Sequence, residues 1–162
     1  MPGGFFLMGT RLRMDTVLWA LMGIVAGACI ATQAPINAQL GRNLGVPIAA
    51  AGVSFVAGAV LLWTIAFIYS NATSIPINFG APAPWTFVAG GVLGAFYVFS
   101  NIILTPMIGT AAVMALSVAG QLVGGMMLDK IGFMGMAVRE ISMGRIAGAM
   151  LLITGALMIR VL

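Results

Sequence analysis

Residues 48–70 read IAAAGVSFVAGAVLLWTIAFIYS, and this run decides the class of fold. It holds no charge and no proline, and its polar side chains are limited to Ser54, Thr64, Tyr69 and Ser70. A helix needs roughly 20 mostly apolar residues to cross about 30 Å of hydrocarbon, and this run has that length. Trp63, Phe67 and Tyr69 gather toward its end, where amphipathic rings settle at the membrane surface.

The same character extends through the chain. Its 162 residues include seven Lys or Arg and three Asp or Glu. They are Arg11, Arg13, Asp15, Arg42, Asp129, Lys130, Arg139, Glu140, Arg145 and Arg160, with none between Arg42 and Asp129. A soluble domain is about a quarter charged; this chain is 6% charged and 62% hydrophobic, with a mean hydropathy of +1.15. Most of its side chains therefore meet lipid rather than water. The pI of about 10.3 would fit a nucleic-acid binder, but the basic residues are scattered at segment ends and form no stripe. No nucleic-acid partner is expected.

Four further segments resemble residues 48–70. The first runs over residues 16–44, about 43 Å long if helical throughout, which exceeds the hydrocarbon. Gln33, Pro35, Asn37, Gln39 and Arg42 crowd its last third. Pro35 lacks an amide donor and its ring clashes one turn back, which predicts a kink or break near Thr32. The others cover residues 85–104, 111–128 and 144–162. Thr105-Pro106-Met107-Ile108-Gly109-Thr110 is expected to break segment 3 from segment 4 as a tight helical hairpin. Residues 129–143 form a charged loop in which Asp129 beside Lys130, and Arg139 beside Glu140, read as solvated pairs. The expected fold is all-α, an integral membrane protein of five transmembrane helices whose backbone polar groups pair within each helix, as lipid demands.

Asp15 and Thr16 directly precede the first apolar run, which suits a helix start. Met14 is the expected native start, leaving residues 1–13 as an N-terminal extension. A signal peptide is the rival, and Gln33 and Pro35 after the apolar run argue against it. Five spans put the termini on opposite sides. Arg11, Arg13, Lys130, Arg139 and Arg145 then face one side, and Arg42 and Arg160 the other. Five against two places the first group in the cytoplasm. Counted from Met14 the balance is three against two, which permits insertion both ways up.

Uncharged polar residues inside the spans carry the functional information. Gln33 and Asn37 are four apart and share a helix face; Gln39 points elsewhere. Gly90, Gly94, Tyr97 and Asn101 share a face of segment 3, and Ser117, Gln121 and Gly124 a face of segment 4. An unpaired amide in hydrocarbon costs several kcal/mol, so these stripes must turn toward one another, a partner subunit or a wet cavity. Two interpretations stand: interhelical hydrogen bonds contributing about 0.6 to 2 kcal/mol each, or a polar cavity for a solute. A proline-interrupted span frees backbone carbonyls, and in transporters such breaks line binding sites. Gln33, Asn37, Tyr97, Asn101 and Gln121 are therefore the candidate substrate-binding residues, with Pro35 as the kink. Gly90-x3-Gly94, Gly120-x3-Gly124 and Gly144-x3-Gly148 match the spacing that brings helices close, within the protomer or across a dimer.

Catalytic machinery is not expected. The chain has no His, and its carboxylates fall at segment ends or in loops, away from the mid-membrane positions that mark proton relays. Cys29 is the single cysteine and is read as a packing residue. Nucleophile–base, metal-ligand and phosphate-cradle patterns are missing, so no catalytic residue, metal or cofactor is assigned.

The run Gln33-Ala34-Pro35-Ile36-Asn37-Ala38-Gln39-Leu40-Gly41, then Ser54-Phe55-Val56-Ala57-Gly58, resembles the first two spans of the YdcZ-type branch of the drug/metabolite transporter (DMT) superfamily. Gly90 to Val98, Pro106 to Ala111, Gly120-Gln121-Leu122, Asp129-Lys130-Ile131-Gly132 and Arg145-Ile146-Ala147-Gly148 continue the series in order. The resemblance covers residues 14–162. It implies a five-helix unit equal to half of a ten-helix inverted-repeat transporter in the bacterial inner membrane, an exporter by the family's usual label. A lone unit of this kind implies an oppositely oriented mate, itself or a paralogue, with the solute path between the two. The expected partners are thus membrane lipid, a small solute and a second protomer. The alternative is a non-transporting membrane subunit that scaffolds a larger complex.

Overall fold

The computed structural model describes residues 3–161, with side chains over residues 16–159. The described residues form five long α-helices, one short 3₁₀ turn and no strand: α1 (Gly3–Leu44), α2 (Pro47–Thr73), α3 (Thr86–Ile108), α4 (Thr110–Ile131) and α5 (Met143–Val161), with the turn at Phe133–Gly135. This is the all-α, five-helix architecture expected. Thr16–Leu44, Pro47–Thr73, Thr86–Ile108 and Thr110–Ile131 are each long and apolar enough to cross a membrane. The apolar part of α5, Met143–Ile159, is shorter, about 25 Å at 1.5 Å per residue.

The chain divides into two compact units, residues 1–33 and 34–162. The first is the leading part of α1, whose apolar side chains, from Val17 and Leu18 to Ile24 and Val25, are exposed. The second holds the end of α1 and α2 to α5. Of the kink or break expected near Thr32, the break is not found: α1 is helical through Thr32 and Pro35. Proline removes one hydrogen bond from a helix without obliging the helix to end, so the ladder continues on both sides.

Packing in the second unit is carried by small residues. The buried side chains include Ala34, Ala38, Ala50, Ala51, Ala112, Ala149 and Ala156, and Val113 is the largest that is fully buried. Ala50, Ala51 and Ile102 form a core against which Leu40, Val98 and Phe99 pack, joining the end of α1, the start of α2 and the last third of α3. Gly41 lets the helices meet: a methyl group there would lie 3.2 Å from both Ile102 Cγ2 and Pro47 Cα. The large residues point outward instead; Leu93 is 73% and Phe96 74% exposed. Without a hydrophobic drive between helices in lipid, close backbone approach at small residues is what holds such a bundle.

Several boundaries differ from expectation. Helix α3 continues through Pro106 to Ile108, and the turn into α4 is Gly109 alone (φ 82°, ψ 153°). Pro106 lies in the last turn of α3; it lacks the N–H that would serve the Ile102 carbonyl one turn back, and the helix still runs on to Ile108. Helix α4 ends at Gly132, whose left-handed backbone (φ 60°) lets its N–H donate to the Asp129 and Leu128 carbonyls. Helix α5 begins after Ser142, whose hydroxyl accepts the Arg145 N–H at 3.3 Å. Before α3, the uncharged loop folds back on α2: Phe79 stacks on Trp63 with centroids 5.8 Å apart, and the Ser70 hydroxyl donates to the Ile75 carbonyl at 2.6 Å.

The charged loop also differs. Asp129 does not use its neighbour Lys130; it pairs with Arg145 at the start of α5. Arg145 further donates to the Glu140 carbonyl at 3.4 Å, and the Arg139 N–H to the Asp129 carbonyl at 3.0 Å. A loop that returns the chain beside its own start brings Arg145 closer in space than sequence spacing indicates.

Candidate functional site

Among the described residues of the second unit, three polar side chains are buried: Asn37 (6% exposed), Asn101 (6%) and Thr105 (8%). Asn37 comes from the last third of α1, and its Nδ2 donates to the Ser54 hydroxyl of α2 at 3.2 Å. Asn101 and Thr105 sit one turn apart on α3, beside the core residue Ile102. All three are buried, and a buried amide or hydroxyl is costly without a partner.

Thr105 stands out among the helical threonines. The hydroxyls of Thr32, Thr64, Thr73 and Thr154 each donate to the carbonyl four residues back, at 2.8 to 2.9 Å. The Thr105 hydroxyl is buried and has no partner. Pro106, the next residue, lacks the N–H that would otherwise reach the Ile102 carbonyl. The last turn of α3 thus combines an unsatisfied hydroxyl with a carbonyl that Pro106 cannot serve.

Of the five residues singled out by sequence, Asn37 and Asn101 are buried, Tyr97 is half-buried, and Gln33 and Gln121 are exposed. Gln33 closes the first unit. Gln121 lies halfway along α4, exposed at the surface of the second unit, between Gly120 and Gly124. Of the six packing glycines, Gly94 meets another helix closely: an added methyl would lie 3.2 Å from Phe55 Cζ. Gly90, Gly120, Gly124 and Gly148 face open space, and Gly144 approaches only its neighbour Ser142 at 3.9 Å. No group of three or more metal-ligating side chains occurs among the described residues.

Two members of the polar set escaped sequence reasoning. Ser54 is one of four scattered hydroxyls in an apolar run, and its role shows only once its pairing with Asn37 of α1 is traced. Thr105 extends the face of Tyr97 and Asn101 by one more turn, a spacing visible in the sequence but hidden by assigning residues 105–110 to a break.

Long apolar helices with small residues inside, large ones outside and a few buried amides define a multi-pass membrane protein. The chain matches a family model described as "Putative inner membrane exporter, YdcZ" over residues 18–158. It is also 30% identical over 133 residues to the inner membrane protein YdcZ of Escherichia coli (strain K12), covering 82% of this chain and 88% of that protein. No solved structure matches it. The chain belongs to the YdcZ family of inner-membrane proteins, within the DMT superfamily. It is a multi-pass inner-membrane protein of a transporter family, and that family is not one of known enzymes.

Proposed function

We propose that this chain is one protomer of an antiparallel dimer that moves a small polar solute across the inner membrane by alternating access. Asn37, Tyr97, Asn101 and Gln121 line the path, with Ser54 and Thr105 beside them. The amides hydrogen-bond the solute and Tyr97 stacks on it or gates it. A neutral lining favours polar uncharged or zwitterionic solutes.

The observation that carries this proposal is the charge-free polar set of buried Asn37, Asn101 and Thr105 on α1 and α3, with half-buried Ser54 of α2 bonded to Asn37, in a member of a family described as an inner membrane exporter. The need for a second protomer rests on α4. Gln121 is exposed halfway along an apolar span, and Gly120 and Gly124 beside it have nothing within 4 Å of an added methyl. An amide at that depth costs free energy unless a partner covers it, and a small-residue face admits a close one.

Proteoliposomes loaded with radiolabelled neutral amino acids and sugars test the proposal. At least one solute should be released by the native protein, with flux reduced tenfold or more by Asn37→Ala and unchanged by Thr64→Ala on the outer face of α2. C-terminal fusions to cytoplasmic and periplasmic reporters test the orientation. Both reporters signal if the chain pairs with itself, and one alone requires a paralogous mate. No flux, with constant co-purification of a larger unrelated protein, would instead make the chain a scaffolding subunit.

A further inference from the structure

From Thr16 to Leu128 the chain has a single formal charge, Arg42. It lies in the last turn of α1. Beside it is a cleft of about 380 Å³, lined by Ala38, Gly41, Gly45, Pro47, Ile102, Ile103 and Pro106 as well as Arg42. Buried Ala38, Gly41 and Ile102 make its floor, and exposed Arg42, Pro47, Ile103 and Pro106 its rim.

The elbow between α1 and α2 shapes this cleft. Gly45 adopts a positive φ of 72°, and its N–H donates to the Arg42 carbonyl at 3.2 Å. That turn sends the chain from α1 into α2 through two residues and leaves Arg42 at the mouth. The elbow joins two spans, so it lies at the membrane surface, as does the nearby end of α3. Small side chains and the missing side chain at Gly41 keep the floor low.

Arg42 has no acidic neighbour in sequence. Among the described residues its guanidinium makes no ion pair or hydrogen bond; the ion pair found there joins Asp129 and Arg145. We propose that the elbow cleft binds an amphiphilic anion, with its phosphate or carboxylate head on Arg42 and its apolar body along Ile102, Ile103 and Pro106. A guanidinium matches such heads with two parallel N–H donors. The volume falls in the range of about 300 to 1,000 Å³ typical of small-molecule sites. Two sources share this chemistry: the headgroup of an anionic lipid, and a free amphiphilic anion. The site is independent of the neutral path proposed above and does not rest on it.

Native mass spectrometry of the delipidated protein in detergent tests the assignment, with phosphatidylglycerol, phosphatidylcholine and decyl phosphate as probes. The native chain should retain phosphatidylglycerol at least fivefold better than phosphatidylcholine. Arg42→Gln should reduce that preference to under twofold, and Arg42→Lys should keep most of it. Ile103→Phe, which narrows the rim and leaves the charge in place, should weaken retention, whereas Arg139→Gln in the charged loop should not change it. Decyl phosphate displacing the lipid indicates a site open to free amphiphilic anions; failure to displace it indicates a lipid headgroup site. The proposal is overturned if the native chain shows no preference, or if Arg42→Gln and Ile103→Phe both bind as the native chain does.

Discussion

At the scale of single residues, Thr105 distinguishes a structural polar group from a functional one. A buried hydroxyl without a partner costs about 1–3 kcal/mol relative to a satisfied one. Thr105→Val keeps the shape of the side chain and removes that burden. The variant should melt in detergent at the same temperature as the native protein or higher, the gain being up to about 2 kcal/mol. If the hydroxyl is held open for the solute, flux should fall while stability does not. A fall in both would mean that Thr105 has a structural partner. Asn37 and Asn101 were legible as members of polar stripes because helical spacing alone places them. Ser54 was not, because a pair between two helices depends on where they cross, and one sequence does not contain that angle.

At the scale of elements, the join between α4 and α5 rests on a charge pattern opposed to the helix dipoles. Asp129 lies in the last turn of α4, where partial negative charge accumulates, and Arg145 in the first turn of α5, where partial positive charge does. Each is misplaced on its own helix by about 0.3–1 kcal/mol, and their pairing compensates. Both are partly exposed, so the pair contributes at most about 1 kcal/mol. The single changes Asp129→Asn and Arg145→Gln should each move stability by less than about 1 kcal/mol, because the lost pair and the relieved dipole conflict largely offset each other. The double exchange Asp129→Arg with Arg145→Asp keeps the pair and reverses both dipole conflicts, so thermal unfolding in detergent should show it at least as stable as the native chain. A double exchange less stable than both single variants would mean that the pair has no such role. Sequence established the number of helices and most of their extent, since apolar length is written directly into composition. It missed the end of α3, since a proline near a helix terminus and one inside a loop look alike until the backbone is traced. It missed the Asp129–Arg145 pair for a related reason: neighbours in sequence were preferred to neighbours across a folded loop.

At the scale of the whole molecule, the second unit is ordered opposite to a soluble domain, with alanine inside and large apolar side chains outside. Lipid satisfies that exterior nearly everywhere. It does not satisfy Gln121 or fill the open glycine face beside it, and this is the basis for a second protomer. The two copies would enclose the polar set, and water would reach it from one side at a time. The central claim is therefore that Asn37 lines a wet path. The most direct measurement is labelling of Asn37→Cys, in a Cys29→Ser background, by a water-soluble thiol reagent in intact membranes. Leu61→Cys, on an exposed position of α2, serves as the lipid-facing control. The account predicts that the thiol at position 37 reacts while the one at position 61 stays inert. Equal inertness at both positions would contradict it and leave the buried amides as interhelical bonds alone.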